Sequence, residues 1–187
     1  MESYQITQWC HHFIKEHVKS GDFCIDATMG NGHDTLLLSV LAGPEGHVLA
    51  FDVQEAALEH TRIRLKEANA PANYELLLES HTEMGQYAQP DSVSCIVFNF
   101  GYLPGGDHQK ATRAETSLTA IRTGLLLLRS GGLMSLCIYS GGDTGFDERD
   151  TILRFLEGLN PREYLVIQSL YLNRPNHPPV PVLIIKR

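Results

Sequence analysis

The sequence predicts an α/β fold: a doubly wound, mostly parallel sheet of seven strands that closes with a C-terminal antiparallel hairpin. Three observations carry this. Short apolar, β-rich runs alternate with longer helical stretches as far as Leu159, which implies βαβ crossovers with helices on both faces of the sheet. The first of these runs, Phe23 to Ile25, opens into a turn with two glycines and then a helix. Beyond Asn160 the pattern changes, because two β-rich runs are joined by a segment too short for a crossover helix and must pair antiparallel.

Taken in order, Tyr4 to Val18 reads as a helix with Trp9, Phe13 and Ile14 on one apolar stripe. Lys19-Ser20-Gly21-Asp22 ends it before the strand Phe23 to Ile25. The helix Thr35 to Leu41 follows the glycine turn, and His47 to Phe51 is the second strand. Gln54 to Ala68 is a helix carrying Ala57, Leu58, Ile63 and Leu65, broken by Pro71 and Asn73 before the strand Tyr74 to Leu78. A short helix around Thr82 to Tyr87 leads to the strand Val93 to Asn99, and Gly101 to Gln109 is a loop. Ala114 to Leu128 is a helix stopped by Ser130-Gly131-Gly132, with Arg113, Arg122 and Arg129 along it and Lys110 just before. The strand Leu133 to Tyr139, the helix Glu148 to Leu159, and the paired runs Tyr164 to Leu172 and Val180 to Ile185 complete the chain. With 187 residues and no internal repeat or linker, residues 1–187 are expected to form a single domain.

Composition bounds the function. The formal charge of −7 argues against general affinity for nucleic acid, which needs concentrated Lys and Arg. No apolar run reaches membrane-spanning length, and Met1-Glu2-Ser3-Tyr4 does not begin a signal peptide, so a cytoplasmic protein with no membrane partner is expected. The four cysteines, at 10, 24, 95 and 137, form no C-x-x-C pair and read as reduced, buried thiols. The nine histidines show no metal-ligand spacing, and no metal is expected.

In a doubly wound sheet, ligands lie beyond the carboxyl ends of the strands. After the first strand come Asp26, Thr28, Gly30, Asn31, Gly32, Asp34 and Thr35. The glycines permit a tight turn and close approach of a ligand, and the following helix aims unpaired N–H groups at it. Twenty residues separate Gly32 from Asp52, which places a carboxylate at the second strand tip, within reach of ribose hydroxyls. Gln54 follows it, and Ser80 and His81 follow the third strand on the adenine side.

A pyrophosphate cofactor is disfavoured: Thr35 replaces the third glycine, and Asp26 would repel the phosphates. The same carboxylate suits the ammonium of S-adenosylmethionine, so a methyl-donor site is the favoured reading. A nicotinamide dehydrogenase and a strand–turn–helix without ligand are the alternatives. Asn99-Phe100-Gly101-Tyr102 stands where amino-methylating enzymes carry Asn-Pro-Pro-Tyr, which makes Asn99, Gly101 and Tyr102 the candidate catalytic residues.

Asp26-Ala27-Thr28-Met29-Gly30-Asn31-Gly32, Phe51-Asp52-Val53-Gln54, Ser80-His81 and the run Asn99 to Asp107 together resemble the YtqB/MnmM family of rRNA-methylase-like proteins. The likeness runs from His11 to the Asn176-x-Pro178-Pro179 segment, and Gly-Tyr-Leu-Pro-Gly-Gly-Asp is its most specific element. It implies a Rossmann-like class I methyltransferase fold. It also implies methylation of the 5-aminomethyl group on the wobble (2-thio)uridine of tRNA, with the anticodon loop as partner. Leu103, Pro104, His108, Lys110, Arg113, Tyr139 and Asn176 are the expected substrate contacts. The other readings are methylation of rRNA or of a small amine, and a non-catalytic RNA-associated module. A homodimer would widen the RNA footprint.

Overall fold

The computed structural model describes residues 5–101, 114–140, 145–175 and 177–187. The strands are β1 (Phe23–Asp26), β2 (His47–Phe51), β3 (Tyr74–Leu77), β4 (Val93–Phe100), β5 (Leu128–Ile138), β6 (Tyr164–Gln168) and β7 (Val180–Lys186). They make one seven-stranded sheet in the order β3-β2-β1-β4-β5-β7-β6. The β1–β2, β1–β4, β2–β3 and β4–β5 pairs are parallel. β7 runs antiparallel to both β5 and β6 and lies between them. The helices are α1 (Ile6–His17), α2 (His33–Ala42), α3 (Glu55–Glu67), α4 (Ala114–Leu127) and α5 (Gly145–Glu157), with a short 3-10 helix over His81–Gln86.

The pleat sorts the central strands between two cores. Ile25, Ile96, Phe98, Phe100 and Met134 meet Ile121 and Leu125 of α4 and Ile152 and Leu156 of α5 on one face. Cys24, Cys95, Val97 and Leu133 meet Ile14 and Val18 at the end of α1 and Leu38 of α2 on the other. This two-sided burial explains why the strand sequences read as continuous apolar runs rather than alternating ones. All four cysteines are buried free thiols. No helix among the described residues is long and apolar enough to cross a membrane.

Two boundaries differ by more than three residues from those the sequence predicts. The strand expected to begin at Leu133 begins at Leu128, immediately after α4 ends at Leu127. Its pairing with β4 shifts from Val93↔Leu128 to Cys95↔Leu133, and the step absorbs Arg129 to Gly132. Gly131 lies in the left-handed region there, at φ +73°. Arg129 therefore belongs to the strand and not to the helix. Its guanidinium donates to Ser94 and Asp22, at the end of the sheet opposite Asn99, which removes it from any substrate surface. The other difference is β6, which stops at Gln168 instead of Leu172; Ser169 adds one further bond, donating its N–H to the Pro181 carbonyl at 2.9 Å.

Candidate active site

At the end of β1 the chain reverses through Thr28 to Gly32 and enters α2. The Met29 N–H donates to Phe51 O at 2.9 Å, fastening the turn to β2, and the Gly32 N–H donates to Met29 O at 2.7 Å. Gly30 and Gly32 have φ of +49° and +76°, backbone that an L side chain rarely adopts. At Gly32 the requirement is also one of packing. A Cβ there would stand 2.8 Å from the Thr61 Cα, so the close approach this glycine allows is to α3 and not to a ligand.

Asp26 lies beneath the turn. Its carboxyl accepts from Thr35 Oγ1 at 2.6 Å and from the Thr28 N–H at 3.2 Å, and the residue is 0 % exposed. Burial, and then the charge of Asp34, raises its pKa to about 7. The expected direct contact with a donor's ammonium group is therefore corrected, because the carboxyl has no open face. It braces the turn from below. Thr35 is likewise fully buried and its hydroxyl is spent on Asp26. Asn31 turns toward α3: its Oδ1 meets His60 Nδ1 at 3.1 Å, and its carbonyl accepts from Arg64 Nε at 2.6 Å.

Asp52 stands at the β2 tip where the spacing predicts it. It is half-buried, and its carboxylate accepts from the Gly30 N–H at 3.1 Å and the Gln54 N–H at 3.0 Å. Burial raises its pKa, while those two donors oppose the shift. Gln54 is the residue that precedes α3.

Ser80 caps the 3-10 helix, accepting from the Thr82 N–H at 3.2 Å. His81 packs edge-on against Phe98 and Phe100, with ring centroids 6.2 and 6.3 Å away. Burial lowers its pKa to about 4, so the ring is neutral at physiological pH. Its Nε2 is buried and, among the described residues, has no hydrogen-bond partner. A buried polar atom left open in this way costs about 1–3 kcal/mol unless something binds it.

Asn99 closes the site from β4. Its N–H donates to Thr28 Oγ1 at 2.8 Å, which ties the β4 tip to the glycine turn, and its Nδ2 donates to Asp34 Oδ2 at 2.7 Å. The other Asp34 oxygen meets His11 Nε2 at 2.5 Å. Next to it, the Tyr139 N–H donates to Phe100 O at 3.0 Å, and burial raises the Tyr139 phenol.

The structure thus brings together the tips of β1, β2, β3 and β4 with Thr28, Gly30, Asp34, Asp52, His81 and Asn99. Tyr102, Leu103, Pro104, His108, Lys110, Arg113 and Asn176 lie outside the described residues. His11 is the site residue that sequence reasoning misses. Its spacing from Ile14 and Val18 places it on the buried side of α1, which is the one signal that could have drawn attention to it.

The chain's likeness to known proteins agrees with this geometry. Residues 48–185 match the family described as "Putative rRNA methylase". The chain is 34% identical to the chloroplastic tRNA (mnm5s2U34)-methyltransferase of Arabidopsis thaliana, over 97% of this chain and 69% of that one. Among solved structures, a protein from Clostridium thermocellum described as an rRNA methylase superimposes with a TM-score of 0.95 at 38% identity, covering 100% of both chains. A methyltransferase of Streptococcus mutans in complex with SAH superimposes with a TM-score of 0.88 at 37% identity, also over 100% of both.

Proposed function

The chain belongs to this rRNA methylase family, and from that premise we propose that it is the methyltransferase that N-methylates the 5-aminomethyl group of wobble (2-thio)uridine in tRNA. It is an S-adenosylmethionine-dependent enzyme with a class I methyltransferase fold. The observation that carries the reading is the bond from the Asn99 N–H to Thr28 Oγ1. It fixes the residue suited to an amine nucleophile against the turn suited to the methyl donor.

The residues fit that donor. The carboxylates of Asp52 at the β2 tip and Asp34 at the start of α2 suit a cation and would repel a pyrophosphate, and the buried Asp26 beneath them feels the charge of both. Asp52 would hold the ribose hydroxyls, and His81 offers its open Nε2 on the adenine side, next to Ser80. Thr28, Gly30, Asn31, Gly32 and Gln54 frame the turn. Asp34 would meet the methionine side, and Asp26 with Thr35 supports it from beneath.

S-adenosylmethionine, when bound, supplies a methyl group made electrophilic by its sulfonium. The protein's task is alignment, which accounts for about 7–11 kcal/mol of barrier reduction in the most favourable systems. An uncharged amine held in line with that methyl would receive it, leaving the donor as a neutral thioether, and the extra proton of the product would pass to solvent. Asn99 and the Gly101 carbonyl accept from the amine's N–H groups and so direct its lone pair at the methyl. The family resemblance would assign Tyr102 to stacking on the base, and Leu103, Pro104, His108, Lys110, Arg113, Tyr139 and Asn176 to contacts with the RNA. The reaction belongs in the cytoplasm, with the tRNA anticodon loop as partner and a homodimer as the assembly that spans it.

The test is transfer of labelled methyl from S-adenosylmethionine to bulk tRNA from a strain lacking this gene, with mass spectrometry of the nucleosides. Conversion of 5-aminomethyl-2-thiouridine to its N-methyl form is the expected result. Donor binding without any transfer to tRNA would overturn the substrate and leave rRNA or a small amine; of these two, the net charge of −7 favours the small amine.

A further inference from the structure

Asp34 lies at the start of α2 and uses its two oxygens on two different elements. Oδ2 accepts from Asn99 Nδ2 at 2.7 Å, and Oδ1 meets His11 Nε2 of α1 at 2.5 Å. An ionised carboxylate only accepts hydrogen bonds. Two consequences follow. The His11 nitrogen that faces Asp34 must carry a proton, and the NH2 end of the Asn99 amide must face Asp34. The amide oxygen is then the end turned away from Asp34.

The direction of this amide matters for an amine substrate. An amine that is about to attack carries its lone pair toward the methyl and its N–H groups elsewhere. An amide oxygen accepts one of those N–H groups and leaves the lone pair free. An amide reversed end for end would present N–H donors, which would bind the lone pair itself and remove the nucleophile. Asn99 has its backbone fixed by Thr28, and its side-chain amide is held by Asp34.

We propose that His11 is a positioning residue for methyl transfer: by holding Asp34 it locks the Asn99 amide with its oxygen facing the substrate amine. His11 acts through two residues, at the far end of a relay from α1 to α2 to β4. Its side chain is 22% exposed and that of Asp34 is 14% exposed, so water competes only partly for either bond. The two bonds to Asp34 are charge-assisted, the stronger class of hydrogen bond. The proposal rests on the amine-methylating reading of the site.

The experiment compares wild type with His11→Leu and His11→Gln, since a glutamine amide can still donate to Asp34. Three readouts are taken: donor affinity by calorimetry, the rate of methyl transfer to tRNA carrying 5-aminomethyl-2-thiouridine, and the side-chain amide signals of Asn99 in a 1H–15N spectrum, assigned by their absence in Asn99→Ala. His11→Leu is expected to slow transfer about tenfold to a hundredfold, the range for a misplaced reacting group. Donor affinity should fall by a much smaller factor than the rate, because the Asp52 and His81 contacts are untouched and Asp34 keeps its bond to Asn99. The Asn99 amide pair should shift and exchange faster with solvent, and His11→Gln should restore both rate and spectrum.

A purely structural His11 would move donor affinity and rate together and would leave the Asn99 signals in place. The proposal is overturned if His11→Leu transfers at the wild-type rate, if the Asn99 amide is unmoved, or if a folded His11→Gln is as slow as His11→Leu. Should the wild type fail to methylate tRNA, the amide spectrum still decides the relay, so the two readings fail separately.

Discussion

The carboxylate of Asp52 and the backbone amide of Gly30, 22 residues apart in the chain, meet at 3.1 Å. This bond closes the β2 tip over the glycine turn. It holds one Asp52 oxygen in place while the N–H of Gln54 holds the other. A carboxylate pinned at both oxygens still has lone pairs to offer, and loses little freedom when a ligand's hydroxyls arrive.

Removing it should therefore be severe. Asp52→Ala is expected to weaken donor binding at least about a hundredfold, since it deletes the ribose acceptor and loosens the turn that Gly30 anchors. Calorimetry with S-adenosylmethionine checks this, and near-normal affinity would sink the ribose assignment.

Asn99→Ala separates binding from chemistry. The backbone bond to Thr28 survives the substitution, so donor affinity should stay within about threefold, while transfer slows by about a hundredfold or more. Turnover at the wild-type rate would end the amine-positioning role.

His81→Phe keeps an aromatic ring against Phe98 and Phe100 and deletes only the open Nε2. Donor affinity should fall about tenfold, the worth of one hydrogen bond in a buried site, and thermal stability should hold or rise. Since His81 titrates near 4, wild-type donor binding should show no inflection from this residue at neutral pH.

At Gly32, alanine would meet the Thr61 Cα at 2.8 Å and need φ near +76°. Gly32→Ala should cost about 2 kcal/mol or more. Adding Thr61→Ala should rescue it only in part, because it removes the Oγ1 and Cγ2 contacts at 2.8 and 2.9 Å and leaves the backbone Cα at 2.8 Å and the positive φ. Urea denaturation of the single and double variants measures both statements.

The Asp26 carboxyl gives a pH dependence. Its folded pKa of about 7 lies above the ordinary aspartate value of 3.8, so the stability it contributes is fully present below about 4 and is lost as pH rises toward 7. Asp26→Asn keeps both hydrogen bonds, provided the Thr35 hydroxyl turns to accept. Relative to wild type it should gain on the order of 2 kcal/mol between pH 5 and pH 8. Denaturant midpoints at those two pH values provide the comparison; a constant difference would mean that Asp26 is already ionised across the range.

What was legible in the sequence followed from local chemistry. The turn at Gly30 and Gly32, the acidic tip at Asp52 and the closing hairpin each depend on residues a short distance apart, where spacing and backbone preference decide the outcome. What was not legible depends on packing between distant elements. Nothing local reveals that Gly32 makes room for Thr61, that Asp26 is sealed beneath its own turn, or that His11 meets Asp34 across 23 residues. The register step before Leu133 is similar: Ser130-Gly131-Gly132 reads as a helix stop, and only pairing with β4 shows that the strand has already begun at Leu128.

The placement of β7 between β5 and β6 has a consequence for synthesis on the ribosome. β6 emerges before the strand it pairs with, and in the interval its ladder groups are unsatisfied. Until Val180 to Lys186 is seated, the β5 edge and the whole of β6 lack their ladder partner, and both are open to pairing with a foreign extended segment. Vulnerability to misassembly is thus concentrated in a brief window, which closes when Val180 to Lys186 pairs with both.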